Sequence, residues 1–202
     1  MEEVKYIKET VTGEITEKKS RFIATLSPVK SEDEAVAFIN SLRKKYYDAR
    51  HNCYAYITGG AKKSSDDGEP AHTAGRPMMD ILEKEGLSDV CVVVTRYFGG
   101  VLLGTGGLVR AYQGAVRAAL DNAQFFTRSL RLKLHITCDY NDHGKITYYA
   151  SSGGFETGDT EFSDKVSFDL YIAPSAEEEC IKKISGLTDG RAEITPCGEV
   201  YK

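Results

Sequence analysis

Residues 4–29 are built of short apolar runs that read as strands, with a turn expected near Thr12-Gly13 and the run Arg21-Phe22-Ile23-Ala24-Thr25-Leu26 beyond it. The pattern then shifts to a helical period. Ala35, Phe38, Ile39 and Leu42 recur at three- and four-residue spacing behind a capping box made by Ser31 and Glu34. Arg43-Lys44-Lys45 close that helix, where cations suit the negative end of the helix dipole. Cys53 to Thr58 returns to strand, and a long polar stretch from Gly59 to Arg76 follows. Pro77 then stands at a favoured first helical position, Met78, Ile81 and Leu82 share a face, and Gly86 closes the helix. Val90-Cys91-Val92-Val93-Val94 is apolar on both faces, which predicts a central buried strand, and its alternation puts Arg96 on the face of Val92 and Val94. A helix from about Gly107 to Asn122 turns Leu108, Ala111, Tyr112, Ala115 and Ala119 inward and Arg110, Gln113, Arg117 and Asp121 outward. Gly114 in its middle costs about 1 kcal/mol relative to alanine and predicts a close packing partner.

A domain boundary is expected near Gln124–Arg128, dividing the chain into residues 1–126 and 127–202. Leu130, Leu132, Leu134, Ile136 and Cys138 alternate with Arg131, Lys133, His135 and Thr137, a half-buried strand. A helix is expected over about Asn141–Ser151, then strands near Gly154–Phe162 and Lys165–Ile172 joined at Ser163-Asp164. Ser175 and Glu178 form a second capping box for a helix carrying Cys180, Ile181 and Ile184, and a last strand runs near Arg191–Val200. The order βαββαβ is the ferredoxin-like split βαβ arrangement. The fold class is therefore α+β.

Two polar segments carry the candidate chemistry. The first, Ser65-Asp66-Asp67-Gly68-Glu69-Pro70-Ala71-His72-Thr73-Ala74-Gly75-Arg76-Pro77, is longer than an ordinary connection and so reads as a binding loop, with Asp66, Asp67, Gly68, Glu69, Pro70, His72 and Thr73 as its candidates. Its carboxylates could hold Mg²⁺ or do acid–base work with His72, although the spacing matches no established metal pattern and Asp-Gly and Glu-Pro are ordinary turn chemistry. The second, from Thr95 to Tyr112, holds Gly99, Gly100, Gly104, Gly106 and Gly107 between the buried strand and a helix. Glycines there allow close approach to the backbone, and a helix N-terminus behind them offers unpaired N–H groups to an anion. Arg96 and Arg110 flank this candidate anion site, and Arg50, His51 and Arg76 join it as a basic ring. The spacing is neither that of a Walker A loop nor G-x-G-x-x-G, so a dinucleotide is not implied. Tight strand-to-helix packing beside solvated arginines accounts for the same residues. Tyr46, Tyr47, Tyr54 and Tyr56, near Arg50-His51-Asn52, could stack on bases or belong to the core.

Composition narrows the classes. Hydrophobic content of 41% and charged content of 28% are ordinary for a globular protein. Cys53, Cys91, Cys138, Cys180 and Cys197 are scattered, odd in number and without C-x-x-C spacing, which suits buried thiols in a reducing compartment and neither a disulfide framework nor a zinc site. The first residues lack the apolar region of a secretory signal, no apolar run reaches membrane-helix length, and the cytoplasm is the expected location. The net charge of −4 is uneven. Through Thr127 there are 17 Lys+Arg against 17 Asp+Glu, and from Arg128 onward 9 against 13, so the acidity belongs to the second part.

Ser20-Arg21-Phe22-Ile23-Ala24, Arg50-His51-Asn52-Cys53-Tyr54-Ala55-Tyr56, Asp66-Asp67-Gly68-Glu69-Pro70, Thr73-Ala74-Gly75-Arg76-Pro77, Arg96-Tyr97-Phe98-Gly99-Gly100 and Leu103 through Tyr112 together closely resemble the signature of the Impact/YigZ family. The resemblance covers essentially the whole chain and is strongest to about Asn122. It implies a two-layer α/β first domain of the ribosomal-protein-like fold used by domain IV of elongation factor G, and a ferredoxin-like second domain similar to its domain V. Eukaryotic members look like translational regulators that bind the scaffold activating the amino-acid-starvation kinase. They do so with a further domain that these residues do not match, so that partner is not carried across. The reading expected from residues and resemblance together is a non-enzymatic translation regulator that binds RNA or a ribosome-associated target, without cofactor, metal or catalytic residue. The alternatives are a phosphoryl- or nucleotide-handling enzyme with Mg²⁺ on the acidic loop, and a module that binds a protein partner through that loop. The oligomeric state is left open.

Overall fold

A computed structural model of the chain describes residues 3–202. Val4–Thr127 form one compact unit, and Arg128–Lys202 lie in a second.

The first unit is organised by an antiparallel sheet of β2 (Val11–Glu17), β3 (Ser20–Pro28), β4 (His51–Thr58), β5 (Ala61–Ser65) and β6 (Val90–Tyr97), in the order β2-β3-β6-β4-β5. A further strand, β1 (Glu3–Ile7), pairs with β7 (Phe125–Cys138). The doubly apolar β6 is the central strand of the five, as its pattern predicts, because only a central strand has both faces covered. Val90, Val92 and Val94 face the main core with α2 (Gly75–Lys84) and α3 (Thr105–Leu120), whereas Cys91 and Val93 join Ala35, Ile39 and Leu42 of α1 (Glu32–Lys45). The expected two layers are thus the sheet with α2 and α3, and α1 covers the second face as an added layer. Ser31 caps α1 as expected, its Oγ accepting from the Glu34 N–H at 3.2 Å.

Three local expectations change. The turn between β2 and β3 is Lys18-Lys19, both left-handed at φ 45° and 65°, and Thr12-Gly13 lies inside β2. Gly13 marks a close approach and not a turn: a Cβ there would lie 2.2 Å from the Ala119 nitrogen of α3. The polar stretch after Thr58 contains an edge strand, β5, joined to β4 across Gly59-Gly60. And α2 starts at Gly75, before Pro77.

The second unit follows the predicted order of β7, α4 (Tyr140–Ser152), β8 (Glu156–Phe162), β9 (Val166–Ile172), α5 (Glu177–Leu187) and β10 (Glu193–Tyr201). Its antiparallel sheet runs β10-β7-β9-β8, the ferredoxin-like order, with Leu134, Ile136, Phe168 and Leu170 packed against Ile146, Cys180 and Ile184 of the helices. The Ser175–Glu178 capping box does not form. A short 3-10 turn, Pro174–Ala176, leads into α5 and leaves it without a side-chain cap.

Candidate functional site

The register of the first sheet builds the site. Arg96 of β6 sits opposite Phe22 of β3 and His51 of β4, so these three side chains share one face. Arg96 is 6% exposed. Its Nη1 donates to Glu69 Oε1 at 2.6 Å, and the same oxygen accepts from the Tyr112 hydroxyl of α3 at 2.8 Å. The Cys53 thiol donates in turn to the Tyr112 oxygen at 3.3 Å. Burial first, then Cys53 and Glu69, push the Tyr112 hydroxyl far above its ordinary range, so it stays protonated and donates. The Arg96 guanidinium carbon lies 5.4 Å from the Phe22 ring centre and 5.6 Å from that of Phe98. Its Nε is buried with no hydrogen-bond partner. A buried donor left unpaired costs free energy, so Arg96 rests on its Glu69 contact and on the two rings.

The acidic loop is held by its own carboxylates. Asp66 Oδ1 accepts from the Ala74 and Gly75 N–H groups at 2.9 and 2.8 Å, and Oδ2 accepts from the His72 N–H at 2.8 Å. α2 has no cap from its own N-cap residue, so Asp66 supplies it from eight residues upstream of Ala74. Asp67 Oδ2 accepts from the Asn52 N–H at 2.7 Å and Oδ1 from Arg43 at 2.8 Å. With Glu69 given to Arg96, each acidic side chain of the loop already holds a donor of its own. Among the described residues no group of three or more His, Cys, Asp or Glu could hold a metal ion. In the structure these carboxylates order backbone N–H groups and two arginines, Arg43 and Arg96.

The role of Asp66 is measurable. Burial raises its carboxyl, but the N–H groups of Gly75, His72 and Ala74 more than offset that and hold it below the ordinary 3.8. A depressed folded-state value means that the stabilisation is complete above 3.8 and is lost as pH falls through the lower folded value. Asp66→Ala is expected to cost about 2 kcal/mol at pH 7, the upper end for a helix cap. In thermal melts its deficit against the parent protein should shrink progressively below pH 3.8. A deficit unchanged down to pH 2 would contradict the assignment.

Beside the Arg96–Glu69 pair opens a cavity of about 460 Å³. Arg50, His51, Gly68, Glu69, Pro70 and Arg96 form its polar side. His51 Nδ1 lies 2.8 Å from the Asp67 carbonyl, which assigns the N–H to Nδ1 and leaves Nε2 4.0 Å from Glu69 Oε1. Phe98, Leu102, Leu103 and Leu108 form the apolar side, with Leu102 82% exposed. Gly104 and Thr105, the start of α3, close the end. Gly104 is at φ 72°, a conformation that favours glycine, and the first turn of α3 has no side-chain cap.

The remaining sequence candidates fall into three groups. Arg110 folds its guanidinium back over that first turn, its Nη1 lying 3.5 Å from where a Cβ on Gly106 would be. Gly99, Gly100, Gly106 and Gly107 belong to the segment leading into α3 and to its first turn, but do not line the cavity. Arg76 does not line it either, being paired with Asp80 at 2.7 Å and Glu83 at 3.3 Å, and His72 and Thr73 lie outside it, Thr73 bonded to the Pro70 carbonyl. The sequence reading missed Phe98 and Leu102 as walls and Tyr112 as the second donor to Glu69. The signal for the first two was apolar residues inside a glycine-rich turn, where no core demands them.

The Impact N-terminal domain family matches residues 18–120, and a domain of unknown function (DUF1949) matches residues 136–191. The chain is 40% identical over 191 residues to the IMPACT family member YvyE of Bacillus subtilis, covering 93% of this chain and 88% of that one. It is 44% identical over 137 residues to the IMPACT family member YigZ of Escherichia coli, covering 65% and 66%. The Protein IMPACT homolog of Dictyostelium discoideum matches 46% of the chain and 29% of its own length at 44% identity. A solved structure titled as a hypothetical protein superposes with a TM-score of 0.62 at 32% identity, covering 98% of both chains. Matched over residues 18–120 by the Impact N-terminal domain family, and 40% identical to YvyE along 93% of its length, the chain belongs to the IMPACT family.

Proposed function

We propose that this protein regulates translation by binding RNA, or an RNA-bearing target at the ribosome, through the cavity at the start of α3. The observation that carries the reading is the cavity itself, in which Arg50, His51 and the buried Arg96–Glu69 pair stand beside the start of α3. The uncapped first turn of α3, Arg50 at the wall and Arg110 folded over the turn add donors and positive charge at the same place. Placement in translation rests on IMPACT family membership and is an analogy of family, whereas the phosphate chemistry rests on the site.

Binding of a labelled single-stranded RNA tests it. Affinity should fall with salt with a log–log slope of about −0.7 per phosphate contacted. Arg50→Ala and Arg110→Ala, both at exposed positions, should each flatten the slope by about one contact without altering the thermal melt. No saturable binding at low salt, or slopes unchanged in both variants, would overturn the reading.

A further inference from the structure

We propose that the cavity takes a ribose whose 2′- and 3′-hydroxyls are both free, at the 3′ end of an RNA or in a free ribonucleotide, and holds it by His51 and Glu69. The inference rests on the RNA reading above for its polymer and adds which group enters the cavity.

Two unused acceptors stand side by side on the polar wall. His51 Nδ1 is committed to the Asp67 carbonyl at 2.8 Å, so Nε2 of the neutral ring is an acceptor. It accepts from no donor among the described residues and lies 4.0 Å from Glu69 Oε1. Glu69 Oε1 already accepts from Arg96 and Tyr112, whereas Oε2 has no donor among the described residues. The two side chains are only 13% and 3% exposed. Yet the buried side-chain nitrogens and oxygens left without a partner among the described residues are Arg96 Nε and His143 Nε2, so neither His51 Nε2 nor Glu69 Oε2 is sealed. Both residues line the cavity, and it is there that these atoms open.

Lone pairs in want of donors select the ligand. A phosphate brings only acceptors to this wall and is turned away by the carboxylate. An amine finds no net charge, because Arg96 neutralises Glu69 at 2.6 Å. The N–H edge of guanine pairs with both oxygens of one carboxylate, and Oε1 is already taken. A cis-diol fits: each hydroxyl turns its own proton to its own acceptor, one to Nε2 and the other to Oε2. Arg50, on the same side of the cavity, is then left for the phosphate on the 5′ side of that sugar.

The rest of the cavity suits the rest of a nucleotide. Its volume of about 460 Å³ lies in the range of small-molecule sites. Phe98, 47% exposed, and Leu102, 82% exposed, offer apolar surface on which a base can lie. An internal nucleotide has a 2′-hydroxyl alone, because its 3′ oxygen is spent on the next phosphate. A DNA end has a 3′-hydroxyl alone. Each leaves one nearly buried acceptor unpaired, which is where discrimination comes from.

The test compares one RNA oligonucleotide ending in a free diol, in a 2′-deoxynucleotide or in a 3′-phosphate, alongside adenosine and deoxyadenosine 5′-monophosphate, by calorimetry on the full chain. The diol end is expected to bind at least about tenfold more tightly than either other end, and adenosine monophosphate to compete with it. This series leaves the protein unaltered, so it stands whatever a variant does to the fold. His51→Phe keeps a ring and removes the acceptor: it should bring the diol-ended RNA down to the level of the other two and leave those two unchanged. Arg76→Ala, outside the cavity, should change nothing. Equal affinity for the three ends would overturn diol recognition while RNA binding stands. A preference for adenosine over deoxyadenosine monophosphate without binding of any RNA would support the site and overturn the RNA reading. A preference intact in His51→Phe would overturn the assignment to His51, and no preference in either series would overturn the proposal whole.

Discussion

Glu69→Ala is expected to lower the stability of the first unit by about 3–5 kcal/mol, the cost of stranding one partner of a buried ion pair. Glu69 is 8% exposed and accepts at one oxygen from both Arg96 and Tyr112. Removing it leaves a guanidinium on the central strand without a counter-charge, and a buried phenol donor without an acceptor. Arg96 cannot swing to water, because β6 fixes it between Phe22 and His51. The melting temperature should fall by more than about 10 °C. The triple variant Glu69→Leu, Arg96→Met, Tyr112→Phe should recover most of that loss, since no charge or donor is then left unpaired. It should also bind no phosphate, which separates what the pair does for the fold from what Arg96 does for the ligand. A single-variant cost below about 1 kcal/mol, as for a surface pair, would contradict the burial argument.

The parts of this fold legible from sequence are those whose signal is local and periodic. Val90–Val94 declares a central strand by being apolar on both faces, and the same alternation puts Arg96 on the α2–α3 side. Alternation over Leu130–Cys138 and the helical periods after it are enough to produce the βαββαβ order. What escaped depends on partners distant in the chain. Gly13 reads as a turn until the Ala118–Ala119 backbone of α3 is placed against it. β5 carries Lys62 and Lys63 on an exposed edge, so its strand character comes from pairing with β4 and not from burial. The acidic loop reads as a metal or binding candidate because its carboxylates are conspicuous. Their acceptors' work, on N–H groups at 72, 74 and 75 and at 52, and on Arg43 and Arg96, has no periodic trace. The site was therefore legible as residue types and invisible as a network: Glu69 and Tyr112 are 43 positions apart.

Gly99→Ala is the second change with a large expected effect, and it divides the glycine-rich segment by role. A Cβ on Gly99 would lie 2.0 Å from the Lys19 carbonyl carbon and 2.4 Å from the Ser20 nitrogen. Ser20 is fully buried, and its Oγ accepts from the Gly99 N–H at 3.2 Å, so the segment leaving β6 is seated on the β2–β3 turn. The obstacle is backbone, which no rotamer relieves. The cost is expected at or above the top of the range of about 1–3 kcal/mol for overpacking. Loss of stability should come with loss of RNA binding, because Phe98 and Gly104 both hang on that seat. Gly106→Ala, seven residues on, has the opposite signature: equal or greater stability, by up to about 1 kcal/mol, with RNA binding weakened only as far as a phosphate lies against the first turn of α3. Denaturant titration and calorimetry on the two variants read both axes. Should Gly106→Ala bind as the parent does, the first turn of α3 is not where the phosphate sits. Should Gly99→Ala melt as the parent does, the seat on Lys19 and Ser20 is not what positions the loop. The glycines share a segment without sharing a reason: Gly99 answers to the packing of the chain on itself, and Gly106 to no backbone contact within the fold.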